Sequence, residues 1–157
     1  MKQVLANDYL TLIARTFLGF LFIIASIAKI ADPAAFAASI GNYKIVSGAL
    51  LMVFATLLPW VELLCGLCLL AGILTRGSSF LLTSLLVVFT LAIISALLRG
   101  LDISCGCFTQ DPDADKVGWM KVAENAGLIF LGLFTLFSTS VKFSLQTYLA
   151  RHSANNP

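Results

Sequence analysis

The sequence contains four cysteines, which form two pairs whose spacing suits thiol chemistry. Cys105 and Cys107 are separated by one residue in a polar segment, whereas Cys65 and Cys68 are three positions apart in a long apolar run. A cysteine thiolate is the nucleophile of thiol–disulfide exchange and also a ligand for soft metal ions. The two pairs therefore predict either electron transfer through thiols or the binding and transfer of a soft metal ion.

The Cys105–Cys107 pair is better suited to reactivity than to holding a fold together. A disulfide across one intervening residue closes a very tight ring, and departures from preferred disulfide geometry make the bond easier to reduce. So short a loop also adds little stability, because the entropic gain from a cross-link grows with loop length. Gly106 accepts backbone angles that let the two thiols face each other. We therefore predict that this pair takes part in redox chemistry or ligand binding. The structural alternative is a disulfide from each cysteine to a different partner.

An acidic residue accompanies the second cysteine pair. Glu62 lies three positions before Cys65, and Cys68 lies three after it, so all three share one face if this run is helical. An ionisable group inside an apolar run of membrane length is costly and typical of a functional site. Arg15 and Lys29, in the first apolar run, are its predicted partners. Two interpretations stay open for Glu62. It forms an ion pair that fixes helix register, or it is a proton acceptor that serves thiolate formation or quinone reduction. For the two cysteines the alternative is simple apolar packing.

The composition is that of an integral membrane protein. Of the 157 residues, 59% are hydrophobic and 11% are charged, and the mean hydropathy is +0.97. A soluble domain has roughly 25% charged residues. The net charge of +2 is too small for a nucleic-acid-binding surface. The predicted surroundings are therefore a lipid bilayer, with no nucleic acid as partner.

Charged residues divide the apolar sequence into four membrane spans and one polar loop. Asp32-Pro33 ends the first span, because proline removes a backbone donor and disfavours helix in the residue before it. Two interpretations stay open for Glu124 and Asn125, early in the last span: they face the same interior as Glu62 or, more simply, they are solvated near the membrane surface. Since helices satisfy their own backbone groups in lipid, residues 1–157 are predicted to form one all-α membrane domain, a four-helix bundle with up-down-up-down topology. The predicted spans are residues 10–31, 46–74, 78–98 and 119–140, and the cysteine loop is 99–118.

The numbers of basic residues on the two sides of the bundle are equal and do not predict its orientation, whereas the numbers of acidic residues differ. The positive-inside rule needs an excess of lysine and arginine on one side, yet each side carries five. Five acidic residues fall on the loop side, against Asp8 alone on the side of the termini. Because disulfides persist outside the cytosol, we predict an inner-membrane protein with cytoplasmic termini and an extracytoplasmic Cys105/Cys107 loop. The basic residues are Lys2, Arg15, Arg76, Lys142 and Arg151 on the terminal side, and Lys29, Lys44, Arg99, Lys116 and Lys121 on the loop side.

Three motifs are candidates for a family signature: Arg15-x-x-Leu18-Gly19 with Lys29, Leu58-Pro59-Trp60-Val61-Glu62-Leu63, and Cys105-Gly106-Cys107-Phe108 with Trp119. They resemble motifs of the DoxX-like membrane proteins, and the third narrows the resemblance to the branch that contains the methylamine-utilisation protein MauE. The Cys-Gly-Cys-Phe element is the most specific, and the resemblance covers about residues 10–140. It implies a four-helix membrane protein linked to extracytoplasmic thiol–disulfide chemistry, often beside a thioredoxin-like partner. DoxX relatives are also linked to quinone-coupled sulfur oxidation.

The leading hypothesis is a membrane thiol–disulfide oxidoreductase. Cys105 and Cys107 would exchange electrons with a thioredoxin-like protein outside the membrane, and Cys65 and Cys68 would relay them, with quinone as a candidate acceptor. The first alternative is a carrier of mercury, copper or a similar soft ion, with the same four cysteines as ligands. The second is a non-catalytic membrane subunit that anchors or assembles a partner enzyme.

Overall fold

The computed structural model describes residues 8–45, 48–100 and 118–138, and all regular structure in them is helical. The helices are α1, Asp8–Ala31; α2, Pro33–Asn42; α3, Ala49–Ala71; α4, Thr75–Leu98; and α5, Trp119–Phe137. The prediction of an all-α fold is therefore confirmed. Helices α1, α3, α4 and α5 are long and apolar enough to cross a membrane, which makes the chain a multi-pass membrane protein.

The helix ends follow local signals in the sequence. The Asp32 carboxylate accepts a hydrogen bond at 2.9 Å from a backbone N–H in the first turn of α2, and Pro33 stands where a missing N–H costs nothing. Helix α3 is capped by Gly72, whose φ of 71° lets the Ile73 N–H donate to the Cys68 carbonyl at 3.0 Å. The short turn that follows makes α3 and α4 antiparallel neighbours.

The four membrane-length helices form a ring in chain order. Helix α1 packs chiefly on α3 and α4 chiefly on α5, while contacts between α3 and α4 and between α5 and α1 close the ring. Gly19 of α1 meets Gly66 of α3 so closely that a β-carbon at Gly19 would lie 2.9 Å from the Gly66 carbonyl oxygen. Further along α1, Lys29 reaches Glu62, which lies earlier in α3, so the two helices are antiparallel. The predicted up-down-up-down bundle is confirmed.

Hydroxyl groups join the helices at one end of the bundle. We call this end, which holds the start of α1 and the end of α5, the tail end, and the opposite one the loop end. The Thr11 and Ser138 hydroxyls are 2.6 Å apart, and the Thr135 hydroxyl donates to that of Ser79 at 3.1 Å. Such bonds between helices satisfy polar groups that would otherwise face hydrocarbon. They tie α5 to α1 and to α4.

Apolar side chains cover both the inside and the outside of the bundle. Phe20, Val88 and Phe130 are among the large outward-facing side chains that are more than half exposed. Apolar surface of this extent is rare on soluble monomers but suits contact with lipid. The central core cluster inside the ring consists of Leu18, Phe22, Cys65, Leu69, Leu82 and Leu86.

Gly132 allows α5 to lie close against α4, and its substitution is predicted to destabilise the bundle. A β-carbon at Gly132 would collide with the Thr83 hydroxyl, a buried group with no hydrogen-bond partner in the described structure. Gly132→Ala is therefore expected to lower the free energy of unfolding by about 1–3 kcal/mol, the usual cost of overpacking. Denaturation in mixed detergent micelles, followed by circular dichroism, measures this loss.

Two variants of Thr83 control this prediction. Thr83→Ala removes the colliding atom, so combining it with Gly132→Ala should recover most of the lost stability. Thr83→Val keeps an atom at the same position and should not. If both second substitutions have the same effect, the collision is not the cause of the loss.

Candidate functional site

A buried ion pair inside the bundle joins α1 to α3. Lys29 Nζ donates to Glu62 Oε1 at 2.9 Å and to Oε2 at 2.7 Å, and the two residues are 3% and 1% exposed. Of the two predicted partners of Glu62, the structure thus brings Lys29 to it. Arg15 lies fourteen positions earlier on α1, about 21 Å along the helix axis, in the tail half of the bundle.

Two aromatic rings complete the surroundings of the Lys29 ammonium. Its Nζ lies 5.1 Å from the centre of the Phe36 ring and 5.5 Å from that of Phe89. The break at Asp32 makes the first contact feasible, because α2 starts directly after it and packs Phe36 in a buried cluster with Ala55 of α3. A cation is attracted to the negative face of an aromatic ring. Lys29 is therefore held by α2, α3 and α4 together.

A cavity of about 10 Å³ lies beside the ion pair and brings the last helix into the site. Asn125 of α5 lines this cavity and is 2% exposed, so it faces the same interior as Glu62, and the simpler interpretation as a solvated residue is wrong. Its neighbour Glu124 does face outward, in an exposed ion pair with Lys121 at 3.0 Å. The sequence signal for this position is an amide within an apolar span, because such a side chain needs polar partners if it is buried. The lining residues are Phe22, Lys29, Glu62, Leu85, Leu86, Phe89 and Asn125.

Free thiols lie on α3 close to Glu62. Cys65, one turn further along, is 7% exposed and belongs to the central core cluster, and Cys68 is half-buried. Neither of these two cysteines forms a disulfide. A carboxylate and a thiol therefore occupy neighbouring turns of one interior helix face. Among the described residues, no group of three or more His, Cys, Asp or Glu side chains is arranged to hold a metal ion.

Cys105 and Cys107 lie outside the described residues. The segment that contains them, 101–117, connects α4 to α5 at the loop end. Cys65 is about 9 Å from the tail end of α3 and about 24 Å from its loop end, at 1.5 Å per residue. The structure therefore places the thiols of α3 nearer to the end opposite the cysteine loop.

An apolar cleft of about 550 Å³ lies beside the site, between α2, α3 and α4. Leu85 and Phe89 line both this cleft and the small cavity. At the loop end, the cleft is bounded by Tyr43, whose carbonyl accepts a hydrogen bond from Arg99 Nη1 at 3.0 Å. Burial raises the pKa of Tyr43 to about 12, so its hydroxyl stays neutral at physiological pH. The other lining residues, all apolar, are Ile40, Ile45, Phe54, Leu58, Val88, Leu91 and Ala92.

The chain matches one protein family along most of its length. The model of the family described as methylamine utilisation protein MauE matches residues 7–138. A curated methylamine utilization protein MauE from Methylophilus methylotrophus is 28% identical over 135 residues, which are 85% of this chain and 71% of that protein. The protein of the same name from Methylorubrum extorquens is 32% identical over 129 residues, 82% of this chain and 69% of its own length. No solved structure matches the chain.

Proposed function

This chain belongs to the family of the methylamine utilisation protein MauE, and from that premise we propose that it acts in methylamine utilisation as a membrane thiol–disulfide oxidoreductase. The proposal assigns the exchange to Cys105 and Cys107, which face a thioredoxin-like protein outside the membrane. The observation that carries it is a free interior thiol, Cys65, one turn from a buried carboxylate, Glu62. Ionisable groups inside a membrane are costly and typically mark function.

The exchange has a simple electron balance. A thiolate of the partner attacks the Cys105–Cys107 disulfide and forms a mixed disulfide, which the second thiol of the partner then resolves. The partner is oxidised to a disulfide and the loop pair is reduced to two thiols. Two electrons and two protons have then entered this protein. Re-forming the loop disulfide releases them, and a two-electron acceptor in the membrane must take them up.

A lipid-soluble quinone is the acceptor class that the apolar cleft favours. The cleft lies among membrane-spanning helices and is lined almost wholly by apolar side chains, which suits a hydrophobic molecule that diffuses in the bilayer. The backbone carbonyl of Tyr43, at the rim of the cleft, accepts a hydrogen bond from the side chain of Arg99. Arg99 lies two positions before residues 101–117, the segment that contains Cys105 and Cys107. Its inner wall at Phe89 adjoins the buried ion pair. The cleft therefore reaches the loop end of the bundle, whereas Cys65 lies about 24 Å from the loop end of α3.

Cys65 and Cys68 form a second thiol pair in this proposal, with Glu62 as the proton acceptor beside them. A relay from the loop would have to cross about 24 Å of α3 to reach Cys65. We therefore assign the first exchange to the loop pair. A role for Cys65 and Cys68 as a relay requires a disulfide exchange between them and the loop pair, and thiol trapping would detect it as a covalent adduct.

The orientation that fits this chemistry places the loop end outside the inner membrane and the termini in the cytoplasm. A loop disulfide persists on the outer side, where the cytosolic reducing systems do not reach it. We also infer a relationship between this family and the DoxX-like membrane proteins. It is supported by the Arg15-x-x-Leu18-Gly19 motif and by the Pro59-Trp60-Val61-Glu62 motif.

Thiol trapping of the wild type beside four single Cys→Ser variants tests the proposal. Membranes are quenched with acid, alkylated and separated on non-reducing gels. Cys105→Ser or Cys107→Ser is expected to accumulate a covalent adduct with the partner, because the one remaining loop thiol attacks the disulfide of the oxidised partner, in the reverse of the exchange above, and the missing neighbour cannot complete that reverse step. The adduct should disappear on reduction and be absent when both loop cysteines are replaced.

Each alternative gives a different pattern in the same experiment. A soft-metal carrier predicts no adduct, but protection of all four thiols from alkylation by the metal ion. A non-catalytic subunit predicts neither adduct nor protection, and serine variants that still support methylamine-dependent growth. An adduct between the loop and Cys65 or Cys68 would establish the longer relay. Active loop variants without any adduct would contradict the proposal.

A further inference from the structure

We infer that one water molecule is bound in the cavity between the Lys29–Glu62 ion pair and Asn125, and that Asn125 is the positioning residue for it. The cavity measures about 10 Å³, close to the space that a single water needs. This inference does not depend on the thiol chemistry proposed above. It concerns the hydration of the Lys29–Glu62 ion pair.

The lining of the cavity is mostly apolar, but it includes three polar side chains that favour water over an empty space. Buried cavities that stay dry are lined by apolar groups, whereas a bound water typically has two to four polar partners. Here an ammonium, a carboxylate and an amide, from α1, α3 and α5, all line one small space. Helix α4 contributes Leu85, Leu86 and Phe89, which form most of the apolar part of the lining around a space of about one water.

The three polar side chains keep unused hydrogen-bonding capacity. Lys29 has three N–H donors, and two of them go to the Glu62 oxygens. A carboxylate has about four lone-pair sites, so Glu62 still accepts further bonds. The Asn125 amide, on a residue that lines the same cavity, offers two donors and an acceptor. A water between them accepts from the amide or the ammonium and donates to the carboxylate.

Such a water changes what the buried ion pair can do. Lys29 donates hydrogen bonds to both carboxylate oxygens of Glu62. A proton can reach Glu62 without breaking these bonds only if another group in the cavity carries it. Phe36 and Phe89 cover the ammonium from α2 and α4, and the next titratable group on α3 is Cys65. The water is the exchangeable proton carrier of the site, and Asn125 ties it to α5.

Crystal structures of the wild type and two variants, at a resolution that shows ordered water, test this inference. The wild type is expected to show one water within hydrogen-bonding distance of the Asn125 amide and the Glu62 carboxylate. Asn125→Leu, which is similar in size, should lose it. Thr90→Val is the matched control, because it removes a buried hydroxyl that bonds only the Leu86 carbonyl of its own helix, and it should keep the water.

Infrared spectroscopy supplies a readout that a purely structural role would not move. The carboxylate band of Glu62, identified by its loss in Glu62→Gln, is expected to shift in Asn125→Leu but not in Thr90→Val. If Asn125→Leu does not fold, Asn125→Ser replaces it, and the water should then remain, since a shorter polar side chain leaves more room.

Three results would overturn the inference. They are a wild-type cavity without water, a direct hydrogen bond from Asn125 to Glu62, and a water that persists in Asn125→Leu. Loss of the water from Asn125→Ser would do the same. Replacing Cys105 and Cys107 by serine is expected to abolish thiol exchange and leave the water in place, so failure of the proposed function and failure of this inference are distinguishable.

Discussion

Replacing Lys29 by methionine is expected to lower the free energy of unfolding by about 3–5 kcal/mol, because it leaves the Glu62 carboxylate buried without its counter-charge. Methionine keeps most of the length of the lysine side chain, so the loss reports the missing charge more than a missing volume. Denaturation in mixed micelles, followed by circular dichroism, gives the difference from the wild type.

Two further variants distinguish the loss of stability on breaking the ion pair from the net contribution of the intact pair to the free energy of unfolding. Lys29→Met combined with Glu62→Leu removes both charges, and its stability should return close to that of the wild type, as for other buried pairs replaced by apolar residues. Lys121→Met breaks the exposed Lys121–Glu124 pair and should cost less than about 1 kcal/mol. A similar loss in the exposed and the buried variants would contradict the structure of the site.

The stable double variant also decides between the two interpretations of Glu62. If the pair only fixes the register of α1 on α3, a stable Lys29→Met/Glu62→Leu protein should retain thiol exchange. If Glu62 handles protons, the same protein should be folded and inactive. The proposed function requires the second result for any step that passes through Cys65.

The second large effect is expected in the labelling of the two cysteine pairs. After mild reduction of intact cells, a membrane-impermeant maleimide should label Cys105 and Cys107 nearly to completion, because thiolates exposed to water are the reactive species. Cys65 is 7% exposed and lies within a membrane-length helix, and it should stay near background. Cys68, half-buried on the same helix, should also label poorly. The extent of labelling is read from the mass increase on a gel.

Variants that keep one pair each serve as controls for the labelling. The variant with serine at positions 65 and 68 should label like the wild type, and the one with serine at 105 and 107 should label little even after the membranes are opened with detergent. Labelling of the loop pair only after the cells are lysed would place the loop in the cytoplasm. That result would reverse the proposed topology and remove the extracytoplasmic partner.

The membrane fold follows from the sequence because a bilayer leaves few alternatives. Apolar runs of about 20 residues must be helical to satisfy their backbone groups in lipid, and their number sets the number of spans. Local signals such as Asp32-Pro33 and Gly72 then end the helices where caps and turns allow. The Cys-Gly-Cys-Phe element was specific enough to indicate the MauE family, and the match over residues 7–138 confirms that family.

The sequence by itself also determined which residues share a face of one helix, since the helical period is local. It placed Glu62 and Cys65 on one face of α3, and the structure has both buried. Which helix opposes that face was decided only by the tertiary structure. Arg15 and Lys29 were both predicted partners, and both are buried on α1.

The choice of Lys29 over Arg15 comes from the register between two helices far apart in the chain. The close approach of Gly19 and Gly66 fixes the position of α1 along the axis of α3. In this register the ammonium of Lys29 reaches Glu62. Asn125 enters the site in the same way, through the rotation of α5 in the ring. Spacing along a chain encodes the faces of its helices, whereas their meeting depends on rotation and register, which the packing of the whole bundle sets.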